Sequence, residues 1–287
     1  MLACSVRAFA ADRKPVTRPV PSPTSLYQLI HALQAKTKVL EGSAGMRIGY
    51  EKFAASYRLS PGTVKYSDFV LSRLLFESTR DAGLWNLHWA ITDRQPVSDD
   101  IWRQWKAAPL SYLSEPTATA ECDELSALYA FLAERTGVRS VGLFWPAANH
   151  TVAVWEIHPR NGSPTRVVVP TTQIFLDESD MFGTRKFNPW QQKSIHEYLR
   201  RDVPDSFELP KPLFDFFLLQ VDKYAGATDT TLQRIRYLRE GVFRHDWTPE
   251  AAARAALHQR DNLKSGPAED VTAFQNFAQD MRAGMLR

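Results

Sequence analysis

The sequence predicts an α+β protein, with a small antiparallel sheet and helical segments before and after it. Three observations carry this. Apolar residues recur at helical spacing through most of the chain on either side of a short central stretch. Between residues 139 and 169 the period changes to strand-like runs. Two of these runs are joined by Pro159-Arg160-Asn161-Gly162-Ser163-Pro164, which is turn chemistry and makes them an antiparallel hairpin.

Residues 1–24 read as leader and linker. Ala8-Phe9-Ala10 before Ala11 fits a small-x-small cleavage site, and Leu2-Ala3-Cys4 resembles a lipoprotein signal, although Arg7 interrupts the apolar stretch that export requires. Pro15, Pro19, Pro21 and Pro23 then exclude helix and interior strand. A working leader implies a periplasmic or secreted protein; without one, the protein is cytoplasmic.

A helical region is expected over residues 25–110. Leu26, Ile30, Leu33 and Val39 space a helix over 25–40, and two more follow over 46–57 and 63–78, divided by Leu59-Ser60-Pro61-Gly62. Trp85, Trp89, Trp102 and Trp105 mark a segment that packs helices together. Residues 109–119 read as a loop. The α+β core is expected over 111–185: a helix from Glu121 to Thr136 ended by Gly137, then strands over 139–145, 150–158 and 166–169. A C-terminal helical region packed on that core is expected over 186–287, with helices at 190–200, 213–224, 230–240 and 249–263.

A net charge of +3 on 287 residues gives no reason to expect a nucleic-acid scaffold, and 44% hydrophobic with 23% charged residues is ordinary for a globular chain. The densest apolar run, Phe214 to Val221, is too short to span a bilayer. Of the two cysteines, Cys4 lies in the leader, so Cys122 is a free thiol in the folded body.

Cys122 is the first candidate for chemistry. With Thr119 as N-cap it falls in the first turn of its helix, where unpaired N–H groups and the helix dipole favour a thiolate. It is in phase with Leu125, Tyr129 and Leu132, which turns it toward the core, while Asp123 and Glu124 are expected to point off that face. His150 is the second candidate, opening the run His150-Thr151-Val152-Ala153-Val154-Trp155. A thiolate beside an imidazolium is an activated nucleophile, and the same histidine can protonate the leaving amine.

These pieces, together with Thr136-Gly137-Val138, resemble the core of the transglutaminase-like branch of the papain-like cysteine hydrolases. The resemblance covers residues 117–173. It implies a papain-like α+β core, Cys122 as nucleophile, His150 as general base and no cofactor. It also implies an acid just before a Pro-Thr pair to orient the histidine, but Val169 stands at that position, before Pro170-Thr171. A hairpin centred between Asn161 and Gly162 sets Gln173 opposite His150 as the substitute, with Thr171 and Asp177 as the alternatives.

The expected reaction is cysteine-dependent acyl transfer on an amide bond, as peptidase, amidase or transamidase. A peptide or protein substrate follows, from the cell envelope if the leader operates. A non-catalytic binding protein on the same fold is the first alternative, supported by the missing acid. A DNA-binding regulator is the second, because residues 53–75 resemble the helix-turn-helix of LuxR-type regulators, with Thr63, Lys65 and Ser67 facing the groove. Glu77-Ser78 resembles a lytic transglycosylase pair, but a helical Glu is ordinarily solvated. The histidines at 88, 158, 196, 245 and 258 lack the spacing of a metal site.

Overall fold

The computed structural model describes residues 24–81, 83–91, 95–107, 116–147, 150–160, 162–172 and 195–226. The expected leader and linker up to residue 23, Gln173, Asp177 and the helices expected over 230–240 and 249–263 lie outside the described residues. The elements run β1 (Thr24–Ser25), α1 (Leu26–Leu40), α2 (Ala44–Ser56), α3 (Tyr66–Thr79), β2 (Leu87–Trp89), α4 (Asp100–Ala107) and β3 (Ala118–Ala120). They continue with α5 (Cys122–Thr136), β4 (Val141–Ala147), β5 (His150–Ile157), β6 (Thr165–Val169), β7 (His196–Glu197), β8 (Glu208–Leu209) and α6 (Lys211–Ala225). Helices and strands share one core, an α+β arrangement.

The helix α5 is the axis of the fold. Leu125, Ala127, Leu128, Tyr129, Ala130, Phe131, Leu132 and Ala133 are all buried. A helix that is apolar on every side must be covered on every side. Here β4 and β5 cover one flank, and α1, α3 and α4 the other. Gly137 ends it at φ +103°, a left-handed conformation that glycine adopts without steric cost. The start differs from expectation. Thr119 lies in β3, and the N-cap is Glu121, whose backbone N–H is taken by the Glu124 carboxylate at 2.9 Å. Cys122 keeps its place in the first turn.

The main sheet has the order β6-β5-β4-β7, antiparallel throughout. Alternation divides its residues cleanly. Val141, Leu143, Trp145, Ala153, Trp155, Ile157, Val167 and Val169 join the core around α5. Phe144, Val152, Val154 and Val168 form a second cluster with Ile195 on the other face. The β5–β6 hairpin is offset by one residue from the expected register. Ala153 pairs with Val169 and Ile157 with Thr165, which leaves an odd-numbered connection, residues 158–164, rather than one centred between Asn161 and Gly162. A one-residue offset exchanges the faces, so Thr172, not Gln173, is level with His150 as this register continues.

Two short strands replace expected helix and loop. Residues 195–200 were expected to close a helix over 190–200, but β7 pairs with β4, Gly142 opposite Glu197 and Leu143 opposite His196. Only glycine fits there, because a Cβ on Gly142 would collide with the His196 carbonyl. The loop expected to end at Thr119 instead closes with β3, parallel to β2 and level with Leu87–Trp89. The helix expected over 63–78 begins later, at Tyr66, after a turn in which Gly62 has φ +79°.

The tryptophans do pack helices together. Trp102 meets Trp105, Phe131 and Phe207 edge-on at 5.1, 5.4 and 5.6 Å, and Trp85 stacks on Phe217 of α6 at 4.6 Å. α1 runs along α6, and the β1–β8 pair fastens the start of one to the start of the other. Among the described residues no helix is long and apolar enough to cross a membrane.

Candidate functional site

Cys122 lies where the start of α5 meets the start of β5. Its side chain is 4% exposed, on the core side of the helix as its phase requires. The backbone N–H of Thr151 donates to its sulfur. Its own S–H donates to the Asp123 carboxylate at 3.6 Å. Asp123 also accepts from the Thr151 hydroxyl and from the Trp145 indole. One half-buried carboxylate therefore gathers the thiol, β5 and β4 around the first turn of α5.

This overturns two expectations. Asp123 and Glu124 do not point off the core face. Asp123 sits in the thiol network, and Glu124, 3% exposed, accepts the N–H of Val97 at 3.2 Å besides that of Glu121. Nor does the helix start favour a thiolate. Burial pushes the Cys122 thiol well above its ordinary range, and the neighbouring Asp123 and Glu121 charges push it further. The Thr151 N–H opposes them and is outweighed. Burial also raises the Asp123 carboxyl, against the three donors that stabilise its charge.

His150 is 1% exposed at the first position of β5, paired with Ala147 across a bulge in β4. The backbone brings it next to the thiol, since the following residue supplies the N–H on sulfur. Side-chain alternation is a separate matter. Thr151 shares its parity with Ala153 and Trp155, which face α5; His150 shares its parity with Val152 and Val154, in the cluster on the other face.

The α5 face continues past the thiol through hydroxyls. Ser126, one turn beyond Cys122, donates to the Thr151 carbonyl at 3.3 Å and meets the Thr171 hydroxyl at 2.9 Å. Thr171, one of the alternatives for orienting His150, is thereby engaged with Ser126. Its carbonyl accepts the Asp81 N–H at 2.7 Å, which ties β6 to the end of α3. Thr172 is 1% exposed, and its hydroxyl has no hydrogen-bond partner among the described residues.

The remaining sequence candidates fall elsewhere. Glu77 is not solvated: it is 5% exposed and pairs with Arg73 at 3.1 Å and Arg80 at 2.9 Å, a buried ionic cluster in the helical layer. In α3, the helix expected to enter a DNA groove, Phe69, Val70, Leu71, Leu74, Leu75 and Phe76 are core. Its first turn, with Tyr66, Ser67 and Asp68, is partly exposed, as is Arg73 further along. Among the described residues no three of His, Cys, Asp and Glu are grouped to hold a metal ion.

Sequence reasoning missed Asp123. The available signal was α5 itself: a charged residue in a helix apolar on all sides has to be paired. Comparison with protein families, with curated proteins and with solved structures returns no match.

Proposed function

We propose that the chain carries out acyl transfer on amide bonds, with Cys122 as nucleophile and His150 as base. The observation that supports this best is the Asp123 carboxylate, which accepts both the Cys122 S–H and the hydroxyl of Thr151. It fastens the only thiol of the described residues to the residue that follows His150, at the point where a helix start meets a strand start. Because burial holds the thiol protonated, the pair works by general-base catalysis and not as a preformed ion pair. His150 takes the S–H proton as sulfur attacks the carbonyl. The tetrahedral intermediate expels the amine, which leaves with that proton, and a thioester remains on Cys122. Water then gives an acid, as in an amidase or peptidase; an amine gives a new amide, as in a transamidase. The substrate class is a peptide or protein, and the resemblance to the papain-like hydrolases calls for no cofactor.

A second reading has its own observation. The parity of His150 with Val152 and Val154, together with an inward-facing thiol, favours a non-catalytic protein on the same scaffold. One assay separates the two. Peptide anilides and phenyl thioesters are offered to the wild type, Cys122→Ser and His150→Ala, with product release and intact mass followed together. Turnover and a mass increase on the wild type, both lost in the two variants, support acyl transfer. No turnover and no adduct on the wild type gives the second reading, and undiminished turnover by Cys122→Ser removes Cys122 as the nucleophile.

A further inference from the structure

We propose that Asp123 is a positioning residue that holds the Cys122 thiol as a hydrogen-bond donor against β5. This deepens the acyl-transfer reading and rests on it for its functional meaning, but its geometry stands apart from it.

The Asp123 carboxylate is the acceptor of the Cys122 S–H at 3.6 Å. Its remaining capacity is taken by the Thr151 hydroxyl and the Trp145 indole, one from each of the strands that cover α5. Three donors on one half-buried carboxylate fix its orientation, and through it the rotamer of the neighbouring sulfur. The Thr151 backbone N–H also acts on the sulfur, so the thiol lies between Asp123 and β5.

The charges around the thiol all act in one direction. Asp123 and Glu121 belong to α5 and disfavour a second negative charge beside them. From β4 comes Trp145, and from β5 comes Thr151 after His150, the titratable group at that strand's start. A thiol so placed does not react with oxidants or alkylating agents as a thiolate would. It becomes nucleophilic when a base removes its proton during attack. Asp123 thus separates storage of the nucleophile from its use.

The test is the pH profile of Cys122 alkylation by iodoacetamide, in a Cys4→Ser background so that a single thiol reports. Asp123→Asn keeps the shape and an acceptor oxygen for Thr151 and Trp145 but removes the charge. Its alkylation at neutral pH is expected to rise at least about tenfold, with the profile moved to lower pH. An unchanged profile in folded Asp123→Asn overturns the proposal. The infrared S–H stretch of the wild-type protein is a second measurement that does not depend on the variant folding. The band is expected at neutral pH and at lower frequency than in the urea-unfolded chain. Its absence, or a frequency equal to that of the unfolded chain, overturns the proposal. A shifted profile in a protein that forms no acyl adduct upholds the role of Asp123 and removes the acyl-transfer reading, so the two failures are distinguishable.

Discussion

The Thr151 hydroxyl donates to the Asp123 carboxylate and so joins the first turn of α5 to the first turn's nearest strand, β5. Thr151 is buried and Asp123 half-buried, so water replaces the bond poorly when it is removed. Thr151→Val keeps the shape and deletes the donor. Destabilisation of about 2 kcal/mol is expected in urea unfolding, in the range for a buried hydrogen bond to a charged group, with Thr151→Ser recovering most of it. A Val variant as stable as the wild type contradicts this arrangement.

Gly142 is where β7 lies closest to β4, and a methyl group there meets the His196 carbonyl. Gly142→Ala is expected to cost roughly 1–3 kcal/mol, as overpacking does. The loss should be local first. The Tyr198 N–H, bonded to the Val141 carbonyl at 2.9 Å, loses hydrogen-exchange protection before the amides of β5 do.

Asp202 gives a pH dependence whose sign can be worked out. Its buried carboxyl is pushed up to about 6 by burial, although Tyr198, Ser98 and Arg200 act to lower it. The folded state therefore keeps its proton at a pH where the unfolded chain has lost it. The stability this contributes is complete below the ordinary carboxylate range and is lost as pH rises toward about 6. Asp202→Asn should flatten stability between about pH 4 and pH 6, read from urea midpoints across that window.

Thr172 carries a buried hydroxyl without a hydrogen-bond partner among the described residues. Thr172→Val removes a polar atom that is satisfied by nothing there, so stability should be unchanged or raised by up to about 1 kcal/mol in thermal unfolding. A clear loss would mean that the hydroxyl is engaged.

The sequence made α5 legible because its apolar residues, its glycine end and its length agree, and β4, β5 and β6 legible because turn chemistry joins the last two. The elements it concealed are those whose conformation is imposed by a neighbour. β7 is a two-residue strand, set by the open edge of β4 over Gly142, and β3 is set by its parallel partner β2. The hairpin register was missed by one residue because turn composition locates a turn without fixing whether its loop is odd or even. At the site, helix phase correctly turned Cys122 inward. The same reasoning failed for Asp123, since charge argues for solvent only where solvent is available, and the first turns of α5 are covered by β4 and β5.

In the proposed reaction Cys122 forms a thioester with His150 as its base. The most direct measurement is the single-turnover rate at which a phenyl thioester donor acylates Cys122, followed by intact mass in wild type and His150→Ala. Loss of general-base assistance predicts a fall of about a hundredfold or more in the variant. Equal rates in the two proteins, or no acylation of the wild type, would contradict the assignment of His150 as the base for Cys122.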